Sequence, residues 1–364
     1  MSIQKPRNPA NIESYHSRSY STLQKRKHRP GVVLALLALI LLSFALRSYR
    51  LTYQSLWYDE GVSVRLAHMQ ISHLLRWTAN DIQPPLYYLL LWGWFKTGNP
   101  SLPNAVAFWL RFASLFFGVL TVPLLYVITK KLLGEVVAFT AALLMTISPM
   151  AVYYSQEGRM YTLLTFVVLL SAYLVVSILH SPHLPKSRQR LWAVLALSMA
   201  AAMYIHYFSF FFLTAIYLYF LFVWWKTGRH PLYLIESLAA SVGAIVLFSP
   251  WLPYLFNRYK VDTSYWGGTL KTPEALRHVF ISLSLGETVL ESTGTWLMLG
   301  FLFLWLLALA MFFFVIVIRE QEKIVYPFTL LLLYQIVPLI LILLVTYHTP
   351  KFAPRYLMPV LPAY

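Results

Sequence analysis

The stretch Trp57-Tyr58-Asp59-Glu60, followed further on by Asp81-Ile82-Gln83-Pro84-Pro85-Leu86-Tyr87-Tyr88, decides how the rest of the chain is read. Three of the 13 acidic residues fall in these two segments, among aromatics and just after the first long apolar run. The 364 residues are 59% hydrophobic, 17% aromatic and 12% charged, and the mean hydropathy is +0.62. Soluble domains carry roughly a quarter charged residues, so this is the composition of an integral membrane protein. Ionisable groups near lipid are costly and tend to mark function, which makes 57–88 the first place to look for chemistry.

The formal net charge of +16 does not point to nucleic acid, because the cations sit between apolar runs and form no stripe on a soluble domain. With no cysteine in the chain, disulfides, thiolate nucleophiles and Cys-ligated zinc are excluded. Residues 1–30 are polar and basic, ending in Lys25-Arg26-Lys27-His28-Arg29-Pro30, and the apolar run behind them has no obvious cleavage site. They read as a cytoplasmic tail before an uncleaved anchor, leaving 31–364 as the membrane domain.

Apolar runs follow at 31–48, 85–95, 108–129, 133–152, 161–179, 191–205, 207–225, 232–252, 294–318 and 325–346. A helix needs about 20 residues to cross the hydrocarbon core, and 85–95 is too short; with Trp92, Trp94 and Lys96 it reads as an interfacial or re-entrant helix. Omitting it leaves about nine spans. Lys130-Lys131, Lys186 to Arg190, Lys226 with Arg229, and Arg319 with Lys323 then all fall on the cytoplasmic side. The opposite side collects Asp59, Glu60, Asp81, Glu157, Arg159, His206, the segment 253–293, and 348–355 with Lys351 and Arg355.

Within the first outer loop, Val64, Ala67, Ile71, Leu74 and Leu75 recur at helical spacing, which predicts one surface-lying helix over 60–77. Pro84-Pro85 keeps the preceding residue out of helix and lets one begin, so Asp81 is expected on an extended turn. Plainer roles stand beside functional ones. Asp59 can be the N-cap of the surface helix, Glu60 a first-turn acid favoured by the helix dipole, and Asp81 a turn former. Glu157 and Arg159 can form a local pair, Lys351 and Arg355 can anchor lipid headgroups, and Arg111 can snorkel to the boundary. His206 reads as an interfacial histidine; together with His348, Asp59, Glu60 or Asp81 it could instead hold a divalent cation, although no ligand spacing singles out a metal. Thr272-Pro273 opens a further short helix at the mouth of this region, after a turn at Gly267-Gly268.

Five motifs occur in one order along the chain: Tyr58-Asp59-Glu60; Asp81-x-x-Pro84-Pro85-Leu86-Tyr87-Tyr88; Arg111-x-x-Ser114; Ser155-Gln156-Glu157-x-Arg159-Met160-Tyr161; and Arg355-Tyr356-Leu357-x-Pro359. Together they resemble the GT-C glycosyltransferases of protein O-mannosyltransferase type, and the aminoarabinose transferase acting on lipid A is similar. The resemblance implies an all-α polytopic GT-C fold in a plasma membrane. It also implies transfer of a sugar from a polyprenyl-phosphate carrier to a lipid, glycan or protein acceptor on the outer face, with inversion at the anomeric carbon. Asp59 then matches the general base, and Glu60 and Asp81 orient acceptor or sugar. Gln83, Tyr87, Glu157, Arg159, His206, Lys351, Arg355 and Tyr356 become the substrate-binding candidates, with cations among them for the leaving phosphate. Gln83 departs from the His or Lys usual before the Pro-Pro pair, which lessens the electrostatic help available to the phosphate.

Two features complete the reading. A polyprenyl-linked sugar or lipid transporter is the alternative, but transporters place ionisable residues at broken helices near mid-bilayer, whereas here they gather in loops and boundaries. The sequence stops at Leu361-Pro362-Ala363-Tyr364 as Arg355 to Val360 starts what reads as another span, so a fragment or a short variant of a longer relative is expected.

Overall fold

The computed structural model describes residues 30–98, 100–180, 185–261, 270–318, 322–348 and 352–364. The basic tail, the Gly267-Gly268 turn and Lys351 lie outside them. The chain divides into two compact units, Met1–Ala38 and Leu39–Tyr364. In the first, the described residues are the opening turns of helix α1 (Pro30–Ser48). The second holds the rest.

That unit is helical throughout, with no strand among the described residues. After the end of α1 come α2 (Tyr58–His68), α3 (Ile71–Ala79), α4 (Leu86–Gly98), α5 (Pro103–Leu133), α6 (Glu135–Ile147), α7 (Pro149–Ser155), α8 (Tyr161–His180) and α9 (Pro185–Ile205). They are followed by α10 (Ser209–Thr227), α11 (Leu232–Phe248), α12 (Leu252–Val261), α13 (Thr272–Leu285), α14 (Glu291–Ile318) and α15 (Glu322–His348). Short 3₁₀ turns lie at Ser249–Trp251 and Pro354–Val360.

Seven of these helices are long and apolar enough to cross a membrane, or eight if the bent pair α6 and α7 counts as one span. The chain is a multi-pass membrane protein. The expected count of about nine falls short at 191–205, because α9 opens with the charged residues Lys186, Arg188 and Arg190 and the apolar stretch behind them is short. The bland 13-residue α4 is also absent from the spanning set.

Helix α8 is the core. Nearly every one of its side chains is buried, and it packs against α5, α9, α10 and the C-terminal 3₁₀ turn. Helices α5 and α6 form an antiparallel pair joined by Gly134 alone, whose φ of 92° suits glycine and little else.

The break between α6 and α7 shapes the site end of the molecule. Pro149 has no N–H, so the carbonyl of Met145 loses its helical partner. The two helices bend by 55°. Arg47, fully buried at the end of α1, fills the gap: its guanidinium donates to the carbonyls of Met145 and Thr146, both at 3.0 Å, and to Ser155 Oγ at 3.1 Å. In return Gln156 Nε2 donates to the terminal carbonyls of α1, Arg47 at 3.1 Å and Tyr49 at 2.8 Å. The end of α1 and the bent α6–α7 segment thus cap each other, and residues 156–160 emerge in a fixed position.

Candidate active site

The first loop folds as two helices and not as the single one expected over 60–77. Met69 and Gln70 both take extended backbone, which lets α2 and α3 each turn an apolar face inward, with Leu66 and Leu74 fully buried. The N-cap of α2 is Trp57, so Asp59 is not the cap that its plainer reading made it. Asp59 stands at the second helical position, Glu60 at the third.

Those neighbours point different ways. Glu60 is buried and saturated: Oε1 accepts from Arg111 Nε at 2.8 Å and from the Gly158 N–H at 2.8 Å, and Oε2 accepts from Arg111 Nη2 at 2.7 Å. Arg111 is not a snorkelling side chain. It is 4% exposed, and its remaining N–H groups hold the carbonyls of Leu51, Gln54 and Ser55 at 2.8, 2.9 and 3.2 Å. This hub fastens the loop before α2, the helix α5 and the 156–160 segment to one another.

Asp59 instead keeps 27% of its side chain exposed and pairs loosely with Arg159, Oδ2 to Nη2 at 3.5 Å. Arg159, nearly fully buried, also donates through Nη1 to Tyr88 Oη at 3.3 Å, and the Tyr88 hydroxyl donates to Gln83 Oε1. Asp59, Arg159, Tyr88 and Gln83 therefore form one polar chain drawn from three separate motifs. Asp81 lies in the bend between α3 and Pro84, close enough for its charge to act on the hydroxyls of Tyr88 and Tyr207. Tyr87 faces away from that chain, its hydroxyl 3.4 Å from Ser114 Oγ, which in turn donates to the Arg159 carbonyl at 2.9 Å.

The opposite wall is aromatic and cationic. The Arg355 guanidinium lies over the rings of Trp57 at 5.7 Å and Tyr161 at 5.8 Å. Tyr356 stacks near His206, ring centroids 5.6 Å apart. His206 Nδ1 accepts the Phe208 N–H at 3.1 Å, which leaves the ring proton on Nε2 as a donor. Burial, with Arg159 and Arg355 adding to it, pushes His206 down to about 3, so the ring is neutral at physiological pH. Glu157, buried beside these cations, is pushed up to about 7 by loss of solvent; Arg355 and Arg159 oppose that shift, and Glu60 and Asp59 reinforce it. Among the described residues no group of three or more His, Asp and Glu side chains is placed to hold a metal ion.

Of the residues singled out in the sequence, Asp59, Gln83, Glu157, Arg159, His206, Arg355 and Tyr356 are joined by these contacts and charges into one polar and aromatic cluster, Asp81 lies near Tyr88 and Tyr207, and Glu60 and Tyr87 are buried in the packing. Lys351 lies outside the described residues. Sequence reading missed Arg47, which passes for a charge flanking an apolar run, and Trp57, whose place under Arg355 no spacing reveals. It also missed Glu287, which takes the Tyr154 hydroxyl on Oε1 at 2.9 Å.

The helical arrangement is the GT-C glycosyltransferase fold, as the motifs implied. Residues 83–254 match the family profile of dolichyl-phosphate-mannose-protein mannosyltransferase. The structure of ArnT from Cupriavidus metallidurans bound to undecaprenyl phosphate is similar, with a TM-score of 0.60 at 15% identity over 93% of this chain and 59% of that one. The oligosaccharyltransferase of Archaeoglobus fulgidus in its apo form gives 0.60 at 12% identity, over 92% and 50%. The archaeal oligosaccharyltransferase AglB from Archaeoglobus fulgidus, in complex with an inhibitory peptide and a dolichol-phosphate, gives 0.50 at 14%, over 78% and 37%. The chain thus spans somewhat over half the length of ArnT. No curated protein matches it.

Proposed function

We propose that the protein is an inverting glycosyltransferase that moves a sugar from a polyprenyl-phosphate carrier to an acceptor hydroxyl or amine on the outer face of a plasma membrane. The observation that carries this is the meeting of Asp59 with Arg159 at 3.5 Å, within reach of the charges of Arg355 and Glu157 and beside the neutral His206. One solvent-reached carboxylate and two arginines are what an in-line displacement at a phosphorylated anomeric carbon requires. Undecaprenyl phosphate bound to ArnT and a dolichol-phosphate bound to AglB support a donor of that chemistry.

In this reading Asp59 takes the proton of the acceptor as the acceptor attacks the anomeric carbon. The bond from that carbon to the phosphate oxygen breaks, and its electron pair leaves on the phosphate. Arg159 and Arg355 stabilise the growing negative charge with planar forks suited to phosphate oxygens. General base catalysis supplies about 10²- to 10⁴-fold, and the held geometry supplies the rest. His206 Nε2–H and Gln83 are donors for sugar hydroxyls or phosphate oxygens, Asp81 orients substrate at the rim, and Glu60 positions the loop that carries Asp59. The test is incubation of membranes containing the protein with a panel of polyprenyl-phosphate sugars, followed by mass analysis of lipids, glycans and proteins. A sugar-sized mass increase in one acceptor class is expected; movement of intact lipid-linked sugar with no glycosylated product would favour a transporter.

A further inference from the structure

Three polar atoms on side chains that feel one another's charge have no hydrogen-bond partner although they are shut off from solvent: Glu157 Oε1, Arg159 Nε and Arg355 Nε. Leaving such an atom unpaired is costly, most of all on a charged group, so three in one cluster call for a common ligand. The two arginine nitrogens can only donate. An ionised Glu157 can only accept, and its charge would oppose any anion that satisfied them. A protonated Glu157 is a third donor, and the three groups then suit one acceptor-rich anion.

We propose that Glu157 acts as a neutral carboxylic acid, donating a hydrogen bond to the donor's phosphate and passing its proton to the phosphate as it leaves. This rests on the transferase reading above and deepens it. The step balances. The acceptor proton goes to Asp59; the new glycosidic bond forms as the bond to the phosphate oxygen breaks; the electron pair on that phosphate is met by the Glu157 proton. Water then reprotonates Glu157 and takes the proton from Asp59. The two carboxyls are held apart in character by their surroundings, Asp59 partly in solvent and paired with Arg159, Glu157 7% exposed.

Every element around Glu157 bears on its protonation. Asp59 and Glu60 approach from α2 and favour the neutral form, Arg159 from its own loop and Arg355 from the C-terminal 3₁₀ turn oppose it, and burial outweighs them to bring the group to about 7. Tyr153 and Tyr154 face it from α7 and Tyr161 from the start of α8, and the charge of Glu287, from the turn after α13, acts on the two α7 hydroxyls. A purely structural glutamate in this place would form an ion pair with one of the arginines, and no such pair engages its Oε1.

The experiment compares the intact protein with Glu157→Gln, an isosteric amide that keeps a donor but cannot give up a proton. Turnover of the wild type should fall about tenfold per pH unit above about 7, as the acid form disappears. In Glu157→Gln that limb should vanish, and turnover near pH 6 should lie about 10²-fold below wild type. Binding of undecaprenyl phosphate, titrated without acceptor, reads the phosphate contact separately: the wild-type to variant affinity ratio should drop as pH rises through 7, the ligand's own titration cancelling. An unchanged alkaline limb, or a constant affinity ratio, overturns the proposal. A pH-dependent ratio without any transfer product keeps the phosphate contact and removes the transferase reading beneath it; no binding by either protein removes both. If Glu157→Gln fails to fold, Glu157→Asp takes its place and must retain a displaced limb.

Discussion

Arg111 grips both carboxylate oxygens of Glu60, at 2.8 and 2.7 Å, with neither side chain open to solvent. Removing one partner of such a pair leaves an uncompensated buried charge. Arg111→Ala or Glu60→Gln should therefore lower stability by about 3–5 kcal/mol, and Arg111→Lys should not rescue it, because an ammonium cannot span two carboxylate oxygens and three carbonyls. Thermal unfolding in detergent, followed by loss of the monodisperse peak, checks this. A folded Glu60→Gln protein with undiminished stability would show that the hub is dispensable.

Asp59→Asn should abolish transfer and leave the fold intact. Asp59 is not the cap of α2, so an amide there breaks only the 3.5 Å contact to Arg159. Turnover should drop by about 10²-fold or more, with donor binding little changed, because an amide cannot accept the proton of the acceptor. Near-normal turnover by the folded variant would falsify the assignment of the base.

Arg159→Ala and Arg355→Ala should weaken donor binding more than acceptor binding. Among the described residues the Arg355 guanidinium rests over the rings of Trp57 and Tyr161 and near the Glu157 carboxyl, with Nε unpaired, so its loss should cost less stability than that of Arg159, which also holds Tyr88. Titration of the two variants with undecaprenyl phosphate is the measurement. Wild-type affinity in both would put the phosphate elsewhere.

Gly158→Ala should damage both fold and activity. A Cβ at 158 would overlap the side chain of Leu110, and relief of the overlap would pull the Gly158 N–H from Glu60, at a cost of about 1–3 kcal/mol. Gly61→Ala is the contrast. Nothing lies within 4 Å of a Cβ there, and replacing a helical glycine should add roughly 0.5–1 kcal/mol. Equal melting temperatures for the two variants would contradict the packing described.

The chain has no cysteine, so single-cysteine variants report on sidedness without background. Cysteine at Asn80 should react with an impermeant thiol reagent added outside intact cells, and cysteine at Lys130 should react only after permeabilisation. The reverse pattern would separate the pocket from the outer face on which the proposed reaction takes place.

Much of this protein was written in the sequence because a bilayer enforces simple rules. Long apolar runs become helices, since a backbone in lipid must satisfy its own hydrogen bonds, and α5, α8, α10, α11, α14 and α15 lie close to where hydropathy put them. The motifs named Asp59, Gln83, Glu157, Arg159 and Arg355 as candidates before any of their contacts could be read. Tertiary structure decided what no spacing encodes. No spacing told which of the adjacent acids Asp59 and Glu60 would be buried; the approach of Arg111 from α5 and Gly158 from the next loop made Glu60 a buried fastening and left Asp59 partly exposed beside Arg159. Arg47 read as a flanking charge until Pro149 freed a carbonyl for it to cap. Partners 51 and 98 residues apart leave no local signature, because which oxygen an arginine reaches depends on how helices pack, and packing is a property of the whole set of surfaces and not of any one of them.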